Sequence, residues 1–134
     1  SQFANNLSDT AFKAMRSTLP GPYTYIVKAG NKIPKILQMK RKTVGIRIPD
    51  QIFVRDLLDV LGTPMISTSL KTDDSFNPYL TDIDDIYDQF AHQSDYVIDC
   101  GISGIEPSTV INTVDNGNEL EIVREGKGSI DFFA

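Results

Sequence analysis

Pro20-Gly21-Pro22-Tyr23-Thr24-Tyr25-Ile26-Val27-Lys28-Ala29 is the stretch that decides how this chain folds. Two prolines around a glycine stop any preceding helix, because proline lacks an amide donor and pushes the residue before it out of helical space. The aromatic and β-branched run behind them predicts a strand over residues 23–29. Toward the amino end, Leu7, Phe12, Met15 and Leu19 recur at helical spacing around a Ser8-Asp9 cap, which predicts a helix over 8–18. In the other direction, Gly30 to Pro34 turns the chain into a short apolar element, Ile33, Ile36 and Leu37. The basic run Lys40-Arg41-Lys42 follows, and then a second strand, Thr43 to Ile48, ended by Pro49-Asp50.

Beyond it, Ile52, Phe53, Val54, Leu57, Leu58, Val60 and Leu61 form a broad apolar stripe, and Gly62 stands where a helix ends. Pro64 to Ser69 reads as a short strand running into the hydroxyl cluster Ser67-Thr68-Ser69, and residues 71–80 as a polar loop. Thr81 or Asp82 caps a helix bearing Ile83, Ile86, Tyr87 and Phe90, with acids at its amino end where the helix dipole favours them. Tyr96 to Cys100 reads as a strand that opens onto Gly101-Ile102-Ser103-Gly104. Thr109 to Val114 and Leu120 to Val123 read as a hairpin around Asp115-Asn116-Gly117-Asn118, since Asn-Gly tolerates the positive φ a tight turn needs. Helices linking some strands and a turn linking the last pair predict an α/β (α+β) domain, a mixed twisted sheet with flanking helices, occupying residues 1–134 as one unit.

The composition is that of an ordinary globular domain: 134 residues, 40% hydrophobic and 23% charged. No run approaches the roughly 20 apolar residues of a membrane span, and no leader pattern is visible. A lone Cys100 rules out an internal disulfide framework and a multi-cysteine zinc site, and a reducing, cytoplasmic setting is expected. The net charge of −5 is unevenly spread. Residues 1–71 hold 11 of the 13 Lys and Arg with four acids, whereas residues 72–134 hold two cations with 14 acids. Two readings fit: the basic half meets an anionic partner such as a nucleotide or RNA, or the halves neutralise each other within one domain.

Several catalytic motifs are absent, among them a GxxxxGK[ST] phosphate loop and a GxGxxG turn after the first strand. His92 stands among Gln89, Gln93 and Ser94 as a solvated or capping residue, and Cys100 is expected to be a small buried hydrophobe. Asp82, Asp84, Asp85 and Asp88 recur as a solvated helical face more than as a metal site. Arg47 is different. It stands inside the apolar strand Val44-Gly45-Ile46-Arg47-Ile48, and a buried guanidinium requires an anion. Ser67 and Ser69 end one expected strand, Ser108 opens another and Arg124 closes a fourth. Together they suit a small anionic ligand, and equally they suit structural salt bridges and caps.

The run 20–29 and then Lys40-Arg41-Lys42-Thr43-Val44-Gly45-Ile46-Arg47-Ile48-Pro49 resembles the YrdC-type domain, its YciO branch most of all. Further matching blocks are Gly62-Thr63-Pro64-Met65-Ile66-Ser67-Thr68-Ser69, Asp99-Cys100-Gly101, Pro107-Ser108-Thr109-Val110-Ile111 and Val123-Arg124-Glu125-Gly126-Lys127-Gly128, all in order. The resemblance implies threonylcarbamoyl-adenylate synthase chemistry. L-threonine and bicarbonate form a carbamate that attacks the α-phosphate of ATP, with Mg2+ on the triphosphate, and the product serves tRNA modification. It implies that Arg47, Ser67 and Ser108 hold L-threonine, and that Thr43, Ser69 and Arg124 line the ATP side. It also implies that the family's amino-terminal strands are lacking, so the chain is expected to be a carboxy-terminal portion inactive by itself, with open sheet edges through which a homodimer could pair. The alternative is a YciO-like nucleotide- or double-stranded-RNA-binding module that uses Lys40, Arg41 and Lys42. The synthase branch usually carries Pro-Ser-Ala-Asn where this chain has Ser67-Thr68-Ser69-Leu70.

Overall fold

The computed structural model describes residues 3–34, 42–72, 79–102, 104–114 and 119–133. They group into two compact units, residues 1–63 with 107–134, and residues 64–106.

The first unit holds a five-stranded mixed sheet. Its centre is β2, Tyr23–Ala29. Along one edge β2 pairs antiparallel with β3, Thr43–Ile46, matching Ile26 to Gly45 and Lys28 to Thr43. It also pairs parallel with β4, Thr109–Asn112, matching Tyr23 to Thr109 and Ile26 to Asn112. β5, Glu121–Arg124, lies antiparallel to β4 with Arg124 opposite Val110, and the two-residue β1, Ala4–Asn5, meets the far end of β2. Strand alternation sets the core: Tyr23, Tyr25 and Val27 point to one face of β2 and are buried with Ile111 of β4 and Ala14 of α1.

Helix α1, Asp9–Thr18, starts where expected, with Ser8 Oγ accepting the Ala11 amide proton at 3.2 Å. Its buried residues are Ala11 and Ala14, while Phe12 is exposed. Small side chains let the helix approach the sheet, and the wider apolar residues flank that line of contact. Helix α2, Ile52–Leu61, ends at Gly62 in the left-handed conformation with φ of 64°. None of its residues is buried; Ile52 and Val60 are strongly exposed. The apolar stripe predicted the helix, but it packs only in part: Val54, Leu57 and Leu58 are half-buried and the rest of the stripe is exposed.

In the second unit α3, Ile83–Phe90, is capped by Asp82, whose carboxylate accepts the Asp84 amide proton at 2.9 Å. The strands expected at Pro64–Ser69 and Tyr96–Cys100 do not form; both segments lie outside any ladder. Strand propensity describes fit to a pleated, half-buried surface, and these segments have no neighbouring strand among the described residues. Met65, Ile66, Tyr96 and Ile98 are consequently exposed. So is Cys100, which contradicts the expected burial. The hairpin turn at 115–118, Ile36 and Leu37, and Ser103 lie outside the described residues. No described helix is long and apolar enough to cross a membrane.

Candidate functional site

The face of the sheet opposite the core carries the polar residues of interest. Alternation places Thr24 on that face of β2, away from Tyr23 and Tyr25. The ladder of β2 with β3 stops at Tyr25 opposite Ile46. The next backbone bond shifts register, the Gly21 amide donating to the Ile48 carbonyl at 2.9 Å, so Arg47 lies in the chain just past β3, beside the start of β2. On the other side of β2, the Thr24 hydroxyl oxygen lies 2.8 Å from the Ser108 hydroxyl oxygen. From β5, Arg124 donates through Nε at 3.2 Å and Nη2 at 2.7 Å to the Ser108 carbonyl, with Nη2 also 3.5 Å from Ser108 Oγ. Thr24, Ser108 and Arg124 thus form a linked row across three neighbouring chain segments, and Arg47 stands just past the end of the strand on the other side of β2.

Thr109 fixes the end of that row. Fully buried, its hydroxyl donates to the Gly128 carbonyl at 2.6 Å and accepts the Gly126 amide proton at 3.0 Å. The Gly126–Gly128 strip lies so close that a Cβ on Gly126 would collide with the Pro107 carbonyl, and one on Gly128 would come within 2.5 Å of the Tyr23 ring. The glycines therefore let the chain after β5 fold back over the start of β4, where Lys127 donates to Pro107 at 2.9 Å.

Arg47 departs from expectation in one respect. β3 ends at Ile46, and Arg47 is exposed. Its guanidinium has no hydrogen bond or ion pair among the described residues. Water can therefore solvate it, so burial does not force an anion upon it; the group is available for one. Thr43 starts β3, is buried, and stands opposite Lys28, about 13 Å along the strand from Arg47. Ser67 and Ser69 are exposed, belong to the second unit, and do not end a strand. Lys42 is exposed at φ of 55°, whereas Lys40 and Arg41 lie outside the described residues.

Thr24 and Thr109 escape a reading by motif. The available signal for Thr24 is alternation, a hydroxyl on the outward face of an apolar strand. Neither of two concavities includes a residue of the row. One, about 490 Å³, includes Lys13, Glu119 and Phe132; the other, about 300 Å³ in the second unit, includes Ile83, Phe90 and Ile98. Within the row, Thr24 and Ser108 are half-buried and Arg124 is exposed. Among the described residues, no three His, Cys, Asp or Glu side chains come together as a metal site.

A family model described as "Telomere recombination", the Sua5/YciO/YrdC family, matches residues 1–126, and the chain belongs to that family. YciO of Escherichia coli (strain K12) is 39% identical over 129 residues, covering 95% of this chain and 61% of that protein. Its crystal structure superposes with a TM-score of 0.88 over 98% of this chain and 63% of that one, at 36% identity. A protein of Methanocaldococcus jannaschii named a putative threonylcarbamoyl-AMP synthase is 36% identical, covering 90% of this chain and 54% of that protein. The fold is shared with P. abyssi Sua5, solved with L-threonine, at a TM-score of 0.80 and 22% identity over 94% of this chain and 36% of that one. The chain therefore spans about 60% of the length of E. coli YciO.

Proposed function

We propose that this chain carries part of a site for L-threonylcarbamoyladenylate synthesis, with the linked row Thr24–Ser108–Arg124 and the neighbouring Arg47 as its sheet-borne portion. The observation behind this reading is the linked row, a serine hydroxyl held by Thr24 and by the Arg124 guanidinium, with an exposed Arg47 just past the neighbouring strand, in a chain whose family includes proteins named for that reaction. The reaction joins two anions, so positive groups must hold them and offset the charge that develops at phosphorus.

In this reading the Arg47 fork, which has no partner among the described residues, takes the L-threonine carboxylate, with Ser108 on the amino acid. Arg124 spends Nε and Nη2 on Ser108 and keeps the Nη1 side of its fork for the triphosphate, and Thr43 belongs to the ATP side. The threonine carbamate oxygen attacks the α-phosphorus and pyrophosphate leaves. Mg2+ arrives with ATP, its ligands coming chiefly from the phosphates. The P. abyssi protein solved with L-threonine supports the choice of amino acid.

The test is ATP–pyrophosphate exchange that requires both L-threonine and bicarbonate, together with calorimetry of L-threonine binding. Arg47→Ala is expected to weaken binding at least tenfold, since a charge-assisted pair contributes about 1.5–3 kcal/mol. Unchanged affinity would remove Arg47 from the site. A second reading, double-stranded RNA binding, draws on Lys42, exposed just before β3 where its carbonyl accepts the Ala29 amide proton at 2.9 Å. It requires RNA affinity that falls steeply with salt; a flat salt dependence rejects it.

A further inference from the structure

Ser108 is held from two sides, and the partners that hold it decide what it can offer a ligand. A serine hydroxyl has one proton and two acceptor positions, and an unrestrained serine samples three χ1 wells. Arg124 clamps the Ser108 carbonyl and brings Nη2 to 3.5 Å from Oγ as a donor. Thr24 Oγ1, at 2.8 Å, is the nearer partner. Thr24 is itself stiff, being β-branched on a strand, and Gly45 beside it leaves room for its methyl group. A Cβ at position 45 would stand 3.3 Å from Thr24 Cγ2.

We infer that Thr24 is a positioning residue: its hydroxyl donates to Ser108 Oγ, locks that side chain in one rotamer, and turns the Ser108 proton outward toward an acceptor oxygen of the ligand. With Thr24 and Arg124 both donating to Oγ, the acceptor positions are taken and the O–H is what remains. That selects a carboxylate or phosphate oxygen over a donor such as an ammonium group. The inference rests on the proposed function for the identity of the ligand, L-threonine, but its structural half stands without ligand.

The experiment compares wild type, Thr24→Val, Thr24→Ser and Thr24→Ala. The three-bond Hα–Hβ couplings of Ser108 are read by NMR in ligand-free protein, followed by L-threonine titration. Wild type and Thr24→Ser are expected to show a single Ser108 rotamer, and Thr24→Val an averaged one. Should Thr24→Val not fold, Thr24→Ala gives the same readout. L-threonine affinity is expected to fall about three- to tenfold in Thr24→Val, the range for one neutral hydrogen bond, and to return within about twofold of wild type in Thr24→Ser. A purely structural threonine would not be rescued by serine, which lacks the methyl. Ser108 couplings that are averaged in wild type, unchanged in Thr24→Val, or unrestored in Thr24→Ser overturn the inference. Altered couplings with unchanged L-threonine affinity overturn its link to the site. If wild type binds no L-threonine, the proposed function falls, and the couplings alone decide the positioning role.

Discussion

Thr109 joins three stretches of chain with one hydroxyl. Its amide donates to Pro22 at 2.9 Å, and its Oγ1 serves both Gly126 and Gly128. Thr109→Val keeps the shape and orphans two polar groups at about 1–3 kcal/mol each, so urea unfolding is expected to show a loss of at least about 2 kcal/mol. Thr109→Ser is expected to retain most of the stability. Tyr25 lends itself to a pH experiment. Thr18 gives its proton to the Ala14 carbonyl, so the phenol 2.7 Å away must be the donor in their bond. Burial raises the Tyr25 pKa above its ordinary value of 10.0. The unfolded chain therefore loses this proton first, and the corresponding stability is complete below about pH 10 and drains away as pH climbs through the higher folded value. Urea midpoints across that window should fall more steeply in wild type than in Tyr25→Phe. Arg47 shows the limit of residue-level reading. Its type and position were legible, but its exposure was not, because strand alternation says which face a residue takes and not where the ladder stops.

At the scale of elements, the caps were legible and the packing only in part. Ser8, Asp82 and Gly62 do what local chemistry dictates. At Gly62 a Cβ would meet nothing within 4 Å, so the cost of Gly62→Ala comes from the backbone alone, about 1 kcal/mol, measurable by thermal or urea unfolding. Burial tells elements apart that share an apolar pattern. Ile111 is fully buried in β4, whereas Val60 on α2 is 86% exposed. Ile111→Ala is expected to lose about 2–5 kcal/mol, and Val60→Ala to stay within about 0.5 kcal/mol. Equal losses at the two positions would mean that α2 packs against something in solution.

Across the whole molecule, order is unevenly distributed. The buried core lies in the first unit, and no described residue of 64–106 is buried. Amides of residues 23–27 and 109–112 are expected to exchange slowest with deuterium, and those of residues 64–70 and 94–102 near the rate of an unstructured peptide. Protection of 64–70 equal to that of β2 would contradict this distribution. The sequence by itself determined whatever is settled within a few residues: where helices begin and end, the alternation along β2, the hydroxyl and glycine pattern from 107 to 128, and the imbalance of charge. Tertiary structure alone decided that β2 lies parallel to β4 across more than eighty residues, which brings Thr24 to Ser108. It also decided that Pro64–Ser69 and Tyr96–Cys100 stay out of the sheet. The reason is physical. A cap or a turn is satisfied by its own neighbours, whereas a strand exists only when a distant segment supplies the matching donors and acceptors.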